Sequence, residues 1–374
     1  MEMPVFTIRG KNHRERGVDY GVQCKELIQG VLERYIRFFN GGHTAVSWDE
    51  AKVISKEFLP FIRSYSPELL DELEGIAQGA DVEFDDLLTL NSRSEAMTLV
   101  RRPPSDKEEL DGCSSVAVLP DASANGHTIL AQNWDTYTWQ EYGTVILQIL
   151  RDDGPDLMIV TEAGQLARYG MNQAGIALGV NSLQKTYNPE VFGIPSVFIR
   201  RKFLEQDRYV DAVNQIFGAE SMLPMYYVAA YCGDAMGFEK LKDGQLVLYP
   251  ENGLIAHSNH IRHPHYAYQV DALGGTLYRD RRILKHLQPK AGAVTMEDIK
   301  DAFKDHFGYP FSVCRHGDSR KTELNRISTL GCILMDVTDR RIWVCKGTPC
   351  CGEFKEYMWE RPHKKSDWDQ IEKW

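Results

Sequence analysis

Within this 374-residue chain, Asp111-Gly112-Cys113-Ser114-Ser115 is the stretch best equipped for covalent chemistry. A cysteine that follows glycine can attack the preceding carbonyl and move the peptide bond from nitrogen to sulfur, after which water hydrolyses the thioester. Glycine assists because, lacking a Cβ, it tolerates the strained backbone that such a step needs. Cutting between Gly112 and Cys113 would leave one residue carrying both a thiol and an α-amine. The unperturbed pKa of that amine, about 7.7–8.0, suits it to serve as general base for its own thiol. The other reading of Asp-Gly-Cys is an ordinary cysteine at a strand edge. Asp135, closing Asn133-Trp134-Asp135, is the candidate partner. In an antiparallel hairpin the end of the second strand returns beside the start of the first, where a carboxylate can hold the new amine. An aspartate after a strand is also a common turn residue.

The elements around these residues change type at Cys113. Residues 13 to about 100 read as helical, with Val22, Leu27, Ile28, Val31, Leu32, Tyr35 and Ile36 at helical spacing. Ser47-Trp48-Asp49-Glu50 is a capping-box pattern, and Ser66-Pro67-Glu68 opens a further helix that stops at Gly79-Ala80-Asp81. A short helix follows around Phe84 to Leu90. Residues 101 to 112 are charged and proline-containing, a surface linker leading into Cys113. Ser115 to Leu119, a turn at Ala124-Asn125-Gly126, and Thr128 to Asn133 then read as a hairpin. Further strand candidates are 145–150, 157–160, 176–180, 226–230, 245–249, 329–336 and 341–346, and helices return at about 195–206, 209–215, 280–287 and 296–307. Short strands joined by hairpins, with separate helices, predict an antiparallel α+β architecture.

Bulk properties narrow the function. A net charge of −10 without a block of like charges argues against nucleic-acid and anionic-membrane partners. No signal peptide and no uncharged run of about 18 apolar residues is visible, so a cytoplasmic location is expected. The eight cysteines lack a repeating spacing, Cys350-Cys351 is adjacent rather than Cys-x-x-Cys, and no second ligand pair stands at zinc-finger spacing. Neither a metal nor a cofactor is expected, since no glycine-rich nucleotide loop is present.

Further segments accompany the cysteine: Gln132-Asn133-Trp134-Asp135, Thr161-Glu162-Ala163-Gly164, Asn172-Gln173-Ala174-Gly175-Ile176-Ala177, Gly193-Ile194-Pro195-Ser196, His257-Ser258-Asn259-His260 and Tyr309-Pro310-Phe311-Ser312-Val313-Cys314-Arg315. Together and in this order they resemble the acyl-coenzyme A:6-aminopenicillanic acid acyltransferase family, among the N-terminal-nucleophile hydrolases and close to the choloylglycine hydrolase branch. The resemblance implies a four-layer αββα sandwich with antiparallel sheets, made as a precursor. Residues 1–112 would form a small helical chain and 113–374 the catalytic chain, both parts of one domain, with the cleaved chains staying associated. It implies Cys113 as nucleophile, Asp135 beside its amine, and Asn259 as donor to the oxyanion. Arg326 matches a family arginine near the site, and Asn181 a position that completes it. The resemblance also implies Ser114 and Trp134, with Asn181, as residues that bind the substrate or its oxyanion. Ser114-Ser115 keeps the hydroxyls expected after the cysteine, whereas Asn325 and the charged stretch 315–323 depart from the pattern, so β-lactam specificity does not carry over.

The implied reaction passes through an acyl-enzyme on Cys113, with an amide or acyl-thioester as substrate and water or an amine as acceptor. Each residue also has a plainer reading: Asn259 a turn residue, Arg326 a surface ion pair, Asn181 a strand-end cap. His257 and His260 admit a conventional Cys-His hydrolase acting in an uncut chain, and an uncleaved binding homologue is a third reading. Trp134, Tyr137, Trp139, Tyr169, Tyr309 and Phe311 point to a pocket for a hydrophobic acyl group, or to ordinary core.

Overall fold

The hairpin expected after Cys113 forms the centre of the molecule. Strands β2 (Cys113–Val118) and β3 (Ile129–Tyr137) pair antiparallel, with Cys113 opposite Trp134, because alternating apolar residues on both strands can then face a covering layer on each side. Here β2 is no edge strand: β11 (Leu254–His257) pairs along its other side. The computed structural model describes residues 2–99, 112–183, 192–242, 244–265 and 275–362, so the expected linker at 101–111 lies outside the described residues.

Before the hairpin, β1 (Val5–Ile8) is followed by helices α1 (His13–Gln23), α2 (Lys25–Phe38), α3 (Trp48–Lys56), α4 (Leu59–Tyr65), α5 (Pro67–Ala80) and α6 (Phe84–Leu99). After it come β4 (Thr144–Ile149), β5 (Leu157–Glu162), β6 (Tyr169–Asn172) and β7 (Ala177–Ser182), then α7 (Ser196–Leu204) and α8 (Tyr209–Gly218). Strands β8 (Met225–Tyr231), β9 (Asp234–Leu241) and β10 (Gly244–Leu248) precede β11, and helices α9 (Thr276–Leu287) and α10 (Met296–Phe303) follow it. The described chain closes with β12 (Ile327–Asp336), β13 (Arg341–Lys346) and β14 (Phe354–Tyr357).

The strands build two sheets, one ordered β1-β4-β5-β6-β7-β8-β9-β10 and the other β11-β2-β3-β12-β13-β14. Every pairing is antiparallel except β1 with β4, which is parallel. The sheets face each other where β7 packs on β2 and β3. Helix α7 covers β6 and β7 on one outer side, while α9 and α10 cover β2, β11 and β3 on the other. That is the αββα layering. Strand periodicity divides the core accordingly: Val116 and Val118 pack with Ile283, Leu287, Ile299 and Phe303 of α9 and α10. Cys113, Ala117 and Leu130 instead join the larger core that reaches the N-terminal helices.

Local signals read from the sequence explain several boundaries. Ser47 and Glu50 form both bonds of a capping box at α3, and Thr295 and Asp298 do the same at α10. Helix α5 starts on Pro67 as expected, but Asp81, at φ 56°, takes the left-handed position that ends it. Gly79 has another task, since a Cβ there would meet the Val18 carbonyl oxygen at 2.3 Å. Glycine is what lets α1 and α5 cross in backbone contact. Four-residue strands such as β1 and β14 escaped the sequence reading because they are too short to show alternation.

Candidate active site around Cys113

Cys113 is the first residue of β2, and its buried thiol points to the inter-sheet side, 3.5 Å from the Tyr169 hydroxyl. Burial pushes the Tyr169 phenol well above its ordinary value, and the neighbouring Cys113 adds to this, so Tyr169 stays protonated. The Cys113 backbone N–H donates to Asn259 Oδ1 at 3.0 Å. Asn259 is held on several sides: Arg279 Nη2 donates to the same Oδ1 at 2.5 Å, and its own Nδ2 donates to the Ser182 carbonyl at 2.7 Å. That leaves the second Nδ2 hydrogen as its remaining donor. Arg279 also donates to the Cys113 carbonyl at 2.8 Å and to Ser114 Oγ at 3.0 Å.

Gly112 lies on the other side of the peptide. A Cβ there would sit 2.7 Å from Arg315 Nη1 and 3.3 Å from Asp135 Oδ2. Asp135 is fully buried, accepts from Thr329 Oγ1 at 2.7 Å and lies 3.7 Å from Arg279 Nη1. The register explains the placement: Cys113 pairs with Trp134, so Asp135 is one residue further and faces Gly112. The peptide expected to break is therefore flanked by one carboxylate and two guanidinium groups.

Other residues singled out from the sequence fall in different places. Asn181 is fully buried and bridges the sheets, its Nδ2 donating to Ser115 Oγ and to the His257 and Ser258 carbonyls. It is no simple strand-end cap, and it shapes the turn that carries Asn259. Trp134 is fully buried beneath the site, in edge contact with Tyr169 and under the Arg168 guanidinium. Arg326 is not brought to Cys113. Its Nε donates to the Lys321 carbonyl just before β12. The arginine that meets Cys113 is Arg279, which the sequence reading missed by starting the helix at Asp280. Its signal was a charged residue on the buried stripe Thr276, Arg279, Asp280, Ile283 and Leu287. His257 spends its ring nitrogens on Glu239 and the Ser258 carbonyl, and His260 faces Thr276 and Asp280. The Cys-His pairing is thus not what these rings are used for.

Cys113 opens onto a small pocket, a cavity of about 50 Å³. Its wall differs from the expected hydrophobic one: Tyr169 is the only one of the six anticipated aromatics lining it, while Arg93, Arg168, Arg200 and Glu95 do so as well. Tyr137 and Phe311 line a separate hollow, and Tyr309 is exposed. Arg200 is buried, and its Nε has no hydrogen-bond partner among the described residues. Burial raises the Glu95 carboxyl above its ordinary value, against the Ser196 N–H that it accepts at 2.8 Å.

Residues 122–350 match the model of the family described as acyl-coenzyme A:6-aminopenicillanic acid acyl-transferase. The chain is 28% identical over 342 residues, 88% of its length and 90% of the relative's, to the 40 kDa form of acyl-coenzyme A:6-aminopenicillanic-acid-acyltransferase from Emericella nidulans. It is 27% identical over 199 residues, 48% of this chain and 49% of the relative, to a beta-alanyl-dopamine/carcinine hydrolase of Drosophila melanogaster. Among solved structures, a Caenorhabditis elegans N-acylethanolamine-hydrolyzing acid amidase ortholog aligns at TM-score 0.46 and 14% identity, over 60% of this chain and 93% of that one. With the family model spanning more than half its length, this chain belongs to the acyl-coenzyme A:6-aminopenicillanic acid acyl-transferase family.

Proposed function

We propose that this protein cuts itself between Gly112 and Cys113 and then works as an N-terminal cysteine amidohydrolase or acyltransferase. The observation that carries the reading is the convergence of Asp135, Asn259 and Arg279 on the Gly112–Cys113 peptide at the mouth of a pocket. In the first step Cys113 Sγ attacks the Gly112 carbonyl, the C–N bond breaks, and a thioester forms while the amine takes a proton. Water then cleaves the thioester, giving a Gly112 carboxylate and the free thiol. In turnover the Cys113 amine accepts the thiol proton, and the thiolate adds to the substrate carbonyl. The oxyanion is met by the remaining Nδ2 hydrogen of Asn259; such donors contribute about 2.7–4 kcal/mol. The amine or thiol leaving group departs with the proton, and water or an amine takes the acyl group from sulfur.

With Arg93 paired to Glu162 at 3.4 Å, Arg168 and Arg200 against Glu95 on the pocket wall favour a substrate that carries an anionic group such as a carboxylate. Arg200, with an unused buried donor, is the residue placed to receive it. No helix of the described residues is long and apolar enough to cross a membrane. No disulfide links the cysteines, which fits a reducing, cytoplasmic setting.

The test is the intact mass under denaturing conditions of the wild type and of Cys113→Ala, followed by a panel of N-acyl amides with and without a carboxylate. Two fragments divided at Gly112–Cys113 in the wild type, one full-length mass in the variant, and turnover favouring the carboxylate members are expected. A single full-length mass for both proteins would overturn the self-cutting, and equal turnover of neutral amides would overturn the anionic substrate.

A further inference from the structure

A second group of reactive side chains lies beyond Asp135, and the sequence spacing argued against it. His306, Cys314, His316 and Cys350 come together with their ligand atoms all within 4.8 Å of one another. His306 Nε2 is 3.0 Å from His316 Nε2, and His316 Nε2 is 3.6 Å from Cys314 Sγ and 3.5 Å from Cys350 Sγ. Tetrahedral zinc, with Zn–N near 2.0–2.1 Å and Zn–S near 2.3 Å, places its ligand atoms ~3.3–3.8 Å apart. The three contacts of His316 Nε2 fall in and just below that range, and the remaining pairs lie within 4.8 Å. Two sulfurs and two imidazole nitrogens are the donor set that suits tetrahedral zinc among the common divalent ions.

We propose that these four side chains form a structural zinc site that pins the loop after α10 to the turn after β13. Binding would release the two thiol protons to solvent, and two thiolates with two neutral imidazoles would then balance the charge of Zn²⁺. The surrounding backbone is held by its own hydrogen bonds, Cys314 N–H to the Asp305 carbonyl and His316 N–H to the Pro310 carbonyl, both at 3.0 Å. The ligands therefore need little rearrangement to close. Sequence spacing hid the site because one ligand comes from a turn that only the β12–β13 hairpin brings back.

The position gives the site a consequence. Arg315, between two of the ligands, is the residue whose guanidinium lies beside Gly112. Its backbone N–H donates to Thr329 Oγ1 at 3.0 Å, and that hydroxyl donates to Asp135. A metal on Cys314 and His316 would thus fix both Arg315 and the partner of Asp135. The metal assignment itself stands independently of the self-cutting.

Metal content of the reduced, full-length protein, measured by elemental mass spectrometry, tests the proposal. One zinc ion per chain is expected. After chelator stripping, Co²⁺ alone should produce the visible absorption of a tetrahedral thiolate–imidazole site, and added zinc should abolish it. His306→Asn, at an exposed position, and Cys350→Ser should each weaken zinc binding by more than the roughly 10–100-fold that losing an outer-shell partner costs. Cys351→Ser, next to the ligand and 3.4 Å from it, should retain the metal. Folded protein, checked by circular dichroism, that takes up neither ion would overturn the site. So would uptake that survives both ligand variants, or a Cys314–Cys350 disulfide in freshly prepared protein.

Discussion

At the scale of single residues, the peptide before Cys113 is under steric control. A Cβ on Gly112 would lie 2.7 Å from Arg315 Nη1, so a side chain there could enter only by moving that guanidinium. Gly112→Ala should displace that guanidinium from the scissile bond and slow self-cutting roughly 10-fold, equivalent to about 1.4 kcal/mol. A time course of cleaved fraction on a denaturing gel would show it. An unchanged rate would mean that Arg315 does not hold this peptide. Cys113, Ser114, Trp134, Asp135 and Asn259 were all legible in the sequence, because motif and hairpin register tie them to one strand pair or one turn. Arg279 was not legible, for its role depends on how α9 lies across β2. Arg326 misled for the converse reason: a matching neighbour sequence says nothing of where the side chain finds its partner, here the Lys321 carbonyl.

At the scale of elements, a buried ion network ties α7 to the N-terminal helices. Arg201 donates to Glu72 of α5 at 2.8 Å and to Glu205 at 2.9 Å, and His13 faces the same Glu205 at 3.1 Å. Burial by itself would raise the Glu205 pKa, but Arg201, His13 and Arg151 outweigh it and hold the carboxyl far below its ordinary range. A depressed carboxyl stabilises the fold above its unfolded pKa, about 4.3, and that contribution is lost as pH falls through the folded value. Glu205→Gln should therefore cost about 3–5 kcal/mol at pH 7. In urea titrations from pH 7 to 3, the gap between variant and wild type should narrow below about pH 4.3. A constant gap across that range would show that the charge of Glu205 does not bear on stability.

At the scale of the whole molecule, the helical N-terminal part and the part after Cys113 share one core. Tyr20, Ile28, Leu73 and Leu90 pack in the same cluster as Val160, Leu166 and Phe198. Polar bonds cross as well, including Tyr35 to Glu162 at 2.8 Å and Asn91 to the Gly164 carbonyl at 2.8 Å. Cutting the single Gly112–Cys113 peptide removes none of this burial, so the two pieces should stay together. Size-exclusion chromatography of the processed protein should give a single native species that resolves into two masses only after denaturation. Separate native elution of the helical piece would show that the shared core does not outlast the cut.

By itself the sequence determined many of the helices and strands, the antiparallel α+β class, the hairpin that starts at Cys113 and the family to which the chain belongs. Those follow from local periodicity, capping residues and contiguous motifs, each readable within a few residues. Tertiary structure alone decided the charged wall of the pocket, the placing of Arg279 rather than Arg326 at the cysteine, and the meeting of His306, Cys314, His316 and Cys350. The physical reason is common to all three. They depend on side chains far apart in sequence, and packing of sheets, helices and returning turns, rather than any local preference, sets which of them converge.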